Sequence, residues 1–571
     1  MKLPSLPWRP AFKALLIFVR YSAAAVALYL AWKNTDDAIC AVMNLSLFFL
    51  PFTLALAISG RRISSLSIAS CFSIFLYVLG ELKFEYFGDR LAVADYSFVT
   101  EPANWIIVWR YPLLWQTLAA FMAFVALLVI DALYDSRGSK SLSARWRWLA
   151  AAVFVSLLAF NYSNRQYHMW EVFRDDANCG DMNTCGVMSR LVYSISVFEF
   201  EPPQHTEDPT LFVTKKDLLT PLRPTATALP DIVIWLNEST FNPQNFRLPN
   251  ARLPRMEMFE ENDRTRASGL MRTHTFGGKT WLSEFSMLTG MLPDDFGARR
   301  SLVFNTVSPK LNSTLVSLLK ANGYATVVLM PTPKRFYGAA RTYAALGFDR
   351  ILTLRDFPEY DKIKGDEWDI ADSDRLSDAA RKLITEHRKG ADGSKPIFVY
   401  MLSVHEHAPY SDKTKIEYNL GRSGLSQKLA AKFTHYVNKL RTLNVGVTAM
   451  DKYLAASERP MLFTYFGDHQ AYYEDDSPPY RFKFTRPENI TQFQIRTNYG
   501  SHMLPRLPLT DIALVPSLVA DFAGVKQDKY FEALSAIRRL CEGKLDDCED
   551  QALVKSYKGY IFSEGLGEFR Q

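Results

Sequence analysis

The stretch DIVIWLNEST (Asp231–Thr240) sets the architecture of the soluble part of this chain. Ile232–Leu236 is a short, β-rich apolar run of the kind that forms a buried strand, and the chain turns polar at once, placing Glu238 just beyond it. Ala325–Met330, Ile397–Leu402 and Met461–Phe466 have the same form. Helical patterns lie between them: Leu311–Lys320, closed by Asn322-Gly323 as a C-cap, and the periodic stretches Arg375–Lys389 and Ser426–Ala456. Such alternation predicts an α/β domain with a mainly parallel central sheet covered by helices. Ligand sites in these sheets form at the carboxyl ends of the strands, so the residues just after each run are the candidates for chemistry.

Upstream of this domain the composition changes. The 571 residues are 48% apolar, and a mean hydropathy near zero averages two unlike halves. Five segments are apolar enough to span a bilayer, which takes roughly 20 residues each: Ala11–Trp32, Ala38–Ser59, Ile63–Leu82, Leu113–Leu133 and Trp146–Asn161. No cleavable signal peptide is evident, because the first run leads straight into the second. Lys2, Arg9 and Lys13 precede the first span, Arg61 and Arg62 follow the second, and Arg137, Lys140, Arg145 and Arg147 follow the fourth; these basic ends face the cytoplasm. Asn34–Asp37, after the first span, carries no basic residue. Everything after Asn161 is then expected outside the cytoplasm. The outer loop Lys83–Arg110, rich in aromatics and charges, fits a segment lying at the membrane interface.

A formal charge of +6 is small for this length, and much of the basic excess flanks the apolar runs, which argues against nucleic-acid binding. Cys179 with Cys185, and Cys541 with Cys548, are close pairs in the soluble half, expected as two local disulfides in an oxidising compartment. Neither pair has the CxxC spacing of a zinc cluster. Cys40 and Cys71 fall inside apolar runs and read as small buried residues.

Three strand ends carry metal- and phosphate-binding residue types. Glu238 follows the first strand, His405 and His407 follow the third in YMLSVHEHAPY, and Asp468 and His469 follow the fourth in FTYFGDHQ. Carboxylates with imidazoles suit Zn²⁺ or Mn²⁺. The segment HTFGGKTWLSEFSMLTG adds a nucleophile: Gly277-Gly278-Lys279-Thr280 is a tight turn, and the helical spacing of Leu282, Phe285 and Leu288 places Thr280 at a helix N-terminus. Free N–H groups and the positive dipole end there favour a phosphate, and a metal lowers the pKa of a coordinated hydroxyl. The competing structural role is an ordinary Thr N-cap with Glu284 near the capping-box position. A Walker-type ATP loop is not the expectation, since the GxxxxGK spacing is absent.

With these residues in place, the chain resembles the alkaline-phosphatase/sulfatase superfamily of membrane-anchored lipid head-group transferases: lipoteichoic acid synthase-like phosphoglycerol transferases, with phosphoethanolamine transferases as relatives. The motifs are the strand ending in Glu-Ser-Thr, the GKTxxSEF turn, the His-x-Pro and the Gly-Asp-His. The resemblance implies a five-helix transmembrane domain over 1–161, an extracytoplasmic connector over 162–229 and a sulfatase-like catalytic domain over 230–571, in a bacterial inner membrane with the catalytic domain on the periplasmic side. It implies Glu238, Thr280, Asp468 and His469 as ligands of one or more divalent ions, Mn or Zn, with Thr280 also the nucleophile and His407 a contact to the substrate phosphate. His405, Lys279, Arg335 and Tyr337 are further candidate substrate contacts.

The implied reaction moves a phospho-head group, phosphoglycerol in preference, from a phospholipid to a glycan or glycolipid acceptor through a phosphothreonine-type intermediate. Phosphoethanolamine transfer, and phosphodiester or phosphate hydrolysis with water as acceptor, are the alternatives. No C/S-x-P-x-R sequence occupies the nucleophile turn, so sulfate-ester hydrolysis through formylglycine is not expected. One departure concerns the head group. Lipoteichoic acid synthases hold glycerol phosphate with His, Asp, Trp and Arg, where MPTPKRFYGAARTYAALGFD here has no His or Asp before its closing turn; Lys334, Arg335, Tyr337 and Arg341 offer contacts instead.

Overall fold

The computed structural model describes every residue except 1–8, 34–37, 88–90, 97–111, 137–140, 165–185, 196–206, 221–227, 249, 365–370, 409, 411–415, 422, 474–476, 501–503, 505–506 and 566–571. The expected Cys179–Cys185 pair, the Asn34–Asp37 connection and most of the loop Lys83–Arg110 lie outside the described residues. The chain divides into two compact units, Met1–Phe200 and Glu201–Gln571.

In the first unit, helices α1 (Arg9–Trp32), α2 (Ala38–Ser59), α3 (Arg62–Phe87), α4 (Pro112–Ser136) and α5 (Ala144–Ser163) fall on the five apolar segments. Among the described residues, Ala14–Trp32, Ala38–Ser59 and Arg62–Lys83 are long and apolar enough to cross a membrane, whereas Trp115–Asp131 is apolar but shorter. Helix α5 falls short because Arg145 and Arg147 open it and Asn161 and Tyr162 close it. Three of the five expected spans therefore meet the criterion of length and apolarity. One charged pair is buried in this apolar bundle. Arg20 of α1 meets Asp131 of α4 through Nε–Oδ2 at 2.6 Å and Nη2–Oδ1 at 2.5 Å, and Ser67 Oγ of α3 lies 3.5 Å from Asp131 Oδ2. Bidentate pairing is what makes charge tolerable in such surroundings, and it ties three helices together.

The second unit is built on an eight-stranded sheet in the order β4-β3-β5-β1-β6-β7-β2-β8. The strands are β1 (Asp231–Asn237), β2 (Thr265–Arg272), β3 (Ala325–Met330), β4 (Arg350–Thr353), β5 (Ile397–Leu402), β6 (Met461–Gly467), β7 (Ile490–Thr497) and β8 (Leu507–Asp511). All pairings are parallel except those of β7 with β6 and β2, so the sheet is mixed but mostly parallel. Along one face, Val233 and Trp235 of β1, Val399 and Met401 of β5 and Phe463 of β6 alternate inward, as a pleated strand requires. They pack on Leu376 and Leu383 of α7 (Ser373–Lys389) and on Tyr436, Leu440 and Leu443 of α8 (Gln427–Ala456). Here α6 denotes the helix Thr280–Thr289. The strands β2, β4, β7 and β8 are additions to the sequence expectation. Strand β7 buries Gln494, Arg496 and Thr497, so its composition hides its role: Arg496 is paired with Asp451 at 3.1 Å and lies over the Tyr465 ring. Cys541 and Cys548 form the expected disulfide, with Cα atoms 5.3 Å apart.

A buried latch joins the neighbouring strands β2 and β8 just before the turn Gly277–Lys279. His274 Nε2 lies 3.2 and 3.1 Å from the two carboxylate oxygens of Asp511, and Nδ1 is 3.8 Å from Asp294. Arg300 pairs with Asp294 and donates to the His274 carbonyl at 2.5 Å. Burial opposes the charged imidazole, but the Asp511 and Asp294 carboxylates outweigh it and push its pKa up to about 10. A value raised on folding gives stability that is complete below the ordinary value of 6.5 and is lost as pH rises through about 10. Asp511→Asn preserves the oxygen that accepts from the Ala513 N–H but removes the charge. In the full chain in detergent it should cost about 3–5 kcal/mol at pH 7, with the deficit shrinking as pH approaches 10. Unfolding midpoints in denaturant measure this, and a midpoint unchanged at pH 7 would show that the latch carries no stability.

Candidate active site

Strand β1 is flanked by β5 and β6, both parallel to it, with Leu236 level with Leu402 and Asn237 level with Gly467. The three strand ends are therefore neighbours at one edge. The chain leaving β1 passes directly over β6, and a Cβ on Gly467 would lie 1.9 Å from the Thr240 carbonyl oxygen; only glycine allows that approach. Ser239 takes the left-handed conformation, φ 47°, which points its N–H at Asp468 Oδ1 (2.8 Å) and its hydroxyl at Glu238 Oε1 (2.7 Å).

Glu238, Asp468 and His469 are buried, and one ligand atom of each lies within 4.8 Å of the others. Thr280 Oγ1 is 3.3 Å from Glu238 Oε2. The structure thus brings together the four residues expected as ligands. His469 Nδ1 is 2.9 Å from the Gln470 carbonyl, which fixes the ring and leaves Nε2 facing the carboxylates. His469 Nε2 and Asp468 Oδ2 make no hydrogen bond although both are buried, and they lie 3.2 Å apart. Burial pushes the Asp468 carboxyl well above the ordinary carboxylate range, the Glu238 charge acting the same way, and burial holds the His469 imidazole below its usual value. A neutral imidazole beside two crowded carboxylates fits a divalent cation.

Thr280 is the first residue of α6. The turn before it holds Gly277 at φ 69° with its missing Cβ only 2.7 Å from Tyr472 Cβ, and Lys279 at φ 61°. Lys279 is the N-cap but makes no side-chain cap bond, so backbone N–H groups of the first turn are available to an anion. Glu284 is not a capping residue. It is buried one turn below Thr280 and accepts from the hydroxyls of Tyr337, at 2.6 Å, and Tyr343. Burial raises its pKa to about 7 despite those bonds.

The segment after β5 carries Glu406, fully buried and bonded to Ser373 at 2.6 Å, between two partly exposed histidines. His407 Nδ1 lies 2.6 Å from the Ala408 carbonyl, and its own carbonyl accepts from Lys439 Nζ of α8 at 2.5 Å. His405 Nδ1 is 3.2 Å from Asp372. Lys439 also lies over the Tyr410 ring, and burial lowers its pKa to about 8 against the pull of Glu406 and Glu238. Of the residues after β3, Tyr337 is drawn beside α6, its ring 5.8 Å from the Trp281 ring. Arg335 and Arg341 are exposed, and Lys334 pairs with Asp356. Ser239, Asp372, Tyr343 and Lys439 also stand against these groups, and the sequence reading singled out none of them. Only Ser239 had a signal, its place inside the Glu-Ser-Thr strand end.

A sulfatase family model matches residues 230–499. An uncharacterized protein of Haemophilus influenzae is 30% identical over 526 residues, 91% of this chain and 93% of the relative. The capsular polysaccharide biosynthesis protein RkpI of Rhizobium meliloti is 21% identical over 473 residues, 79% of this chain and 81% of the relative. Among solved structures, Streptococcus pyogenes phosphoglycerol transferase GacH in complex with sn-glycerol-1-phosphate shares the fold, with a TM-score of 0.50 and 18% identity over 65% of this chain and 99% of that chain.

Removing a ligand should empty the site without unfolding the domain. Asp468→Asn and His469→Ala are each expected to lower bound Mn or Zn, measured by plasma mass spectrometry after dialysis, by tenfold or more (on the order of 10–100-fold in affinity). Unchanged metal content in both variants would show that these residues hold no ion.

Proposed function

Since the chain belongs to the sulfatase family, we propose that it is a membrane-anchored, metal-dependent transferase that moves a phospho-head group from a phospholipid to a glycan acceptor. Residues 1–161 are the membrane domain with five spans, 162–229 the connector and 230–571 the catalytic domain, placed on the periplasmic side of the inner membrane. The observation that carries this reading is the position of Thr280, at a helix N-terminus and 3.3 Å from Glu238, beside the unbonded ligand atoms of Asp468 and His469.

Glu238, Thr280, Asp468 and His469 would hold the cation, which supplies activation of the Thr280 hydroxyl and neutralisation of phosphoryl charge. Thr280 Oγ1 attacks the lipid phosphodiester, diacylglycerol leaves, and the enzyme carries the head group as a phosphodiester of Thr280. The backbone N–H groups of the first turn of α6 hold a non-bridging phosphoryl oxygen, with His407 and Lys279 as further contacts. An acceptor hydroxyl then attacks the same phosphorus and Thr280 is released. The name of the Rhizobium relative, in capsular polysaccharide biosynthesis, supports a glycan acceptor.

Charge supports phosphatidylglycerol as donor. Arg335 and Arg341 would repel an ethanolamine ammonium placed near them, and Glu406, a carboxylate able to attract one, is fully buried and bonded to Ser373. Incubation with phosphatidylglycerol should release diacylglycerol and add a glycerophosphoryl mass to the Thr280 peptide. Thr280→Ala should abolish both, with a loss of at least about 10³-fold, while retaining its fold. Near-normal turnover by Thr280→Ala would overturn the mechanism. Preferential turnover of phosphatidylethanolamine would reverse the donor alone, and release of free glycerophosphate in the presence of a sugar acceptor would assign a hydrolase.

A further inference from the structure

The two histidines after β5 are two residues apart, yet their surroundings separate their roles. His407 Nδ1 is engaged by a backbone carbonyl. His405 Nδ1 is engaged by a carboxylate, Asp372 Oδ1 at 3.2 Å, and both side chains keep about a third of their surface exposed, 28% and 33%. Asp372 is the N-cap of α7, where an Asp side chain ordinarily accepts from the first-turn N–H groups. It makes no such bond. One oxygen is turned to His405 and the other lies 3.3 Å from Arg375, so a favourable cap is given up to hold an imidazole. Among the described residues no partner meets His405 Nε2.

The dyad stands at the edge where the chemistry is placed. Glu238 N–H donates to Ser403 Oγ at 3.0 Å, and His405 follows Ser403 by two residues. We propose that His405 is the general acid and base of both displacements and that Asp372 is the positioning residue that binds its Nδ1, leaving Nε2 for the substrate oxygens. Burial disfavours the charged ring, but the Asp372 and Glu406 carboxylates outweigh it and the opposing Lys439 charge, raising the His405 pKa above its ordinary value. That shift favours the protonated ring, the form that donates in the first displacement.

This inference rests on the transfer reading and assigns its proton movements. In the first displacement the bond from phosphorus to Thr280 Oγ1 forms and the bond from phosphorus to the diacylglycerol oxygen breaks. The Thr280 hydroxyl proton passes to solvent, and the His405 Nε2 proton passes to the leaving oxygen. In the second displacement the neutral His405 takes the proton of the acceptor hydroxyl as its oxygen bonds to phosphorus. The bond to Thr280 breaks, and Thr280 regains a proton from solvent.

A general acid matters for a poor leaving group and little for a good one, a contrast that a merely structural residue does not produce. The test compares single-turnover release of diacylglycerol from phosphatidylglycerol with the nitrophenol burst from a 4-nitrophenyl phosphodiester of glycerol, using the full-length enzyme. His405→Gln should lose roughly 10²–10⁴-fold on the lipid and less than about threefold on the nitrophenyl ester. Asp372→Asn should show the same pattern with a smaller loss, and Asp372→Glu should recover part of the lipid rate. Equal losses on both substrates, or no loss on the lipid, would overturn the dyad. A wild-type enzyme that releases neither product and leaves Thr280 unlabelled would instead overturn the transfer reading itself.

Discussion

The geometry of the site depends on one close approach, that of the backbone after β1 to the end of β6. Gly467 has no Cβ because the Thr240 carbonyl occupies the place one would take. That contact brings Ser239 N–H onto Asp468 Oδ1 at 2.8 Å, and with it the Glu238 carboxylate beside Asp468 and His469. The parallel register Asn237 to Gly467 aligns the strand ends, and the left-handed turn at Ser239 converts that alignment into convergence of side chains. Strain in such a turn is of the order of 1–3 kcal/mol, and the two bonds of Ser239 to Asp468 and Glu238 offset part of it.

Electrostatics make this convergence unfavourable without a cation. Burial first, and then repulsion from the Glu238 carboxylate, drive Asp468 toward its neutral form. A third carboxylate, Glu284, lies close enough to feel Glu238. The hydroxyls of Tyr337 and Tyr343 spread its charge, and burial lifts its pKa to about 7, so near neutrality it adds only part of a charge. Tyr337 holds this post at φ 38°, an unusual conformation for a tyrosine. Its hydroxyl is thereby held against Glu284 beneath α6.

The central strands and the four clustered residues were legible because burial on both faces leaves unbroken apolar runs, because Glu238, Asp468 and His469 follow directly at strand ends, and because a tight glycine turn precedes Thr280 at the start of α6. The rest was hidden for specific physical reasons. Strand β7 carries Gln494 and Arg496 into the interior, where Asp451 and the Tyr465 ring receive the guanidinium, so its polarity reads as a loop. Glu284 lies near a capping-box position only if Thr280 is the cap; with Lys279 as N-cap it falls two residues beyond N3, and its carboxylate is buried against Tyr337 and Tyr343. Lys439 and Asp372 lie at ordinary helical and capping positions, and only tertiary contact gives them a role.

How this chain treats buried charge elsewhere gives the site its meaning. Arg20 and Asp131 meet in a bidentate pair within the apolar bundle, His274 is held by Asp511 and Asp294, and Arg538 meets Asp521. Each of these places a cation against an anion, as low-dielectric surroundings demand. At the ends of β1 and β6 the same chain gathers Glu238, Asp468 and a neutral imidazole and leaves Asp468 Oδ2 and His469 Nε2 without hydrogen bonds. The lone buried carboxylates Glu284 and Glu406 are met by hydroxyls instead, whereas two carboxylates and an imidazole crowded together form a group that a divalent cation would balance. Thr280, the hydroxyl placed at its edge by the turn of Gly277 and Lys279, is then the atom on which that cation can act.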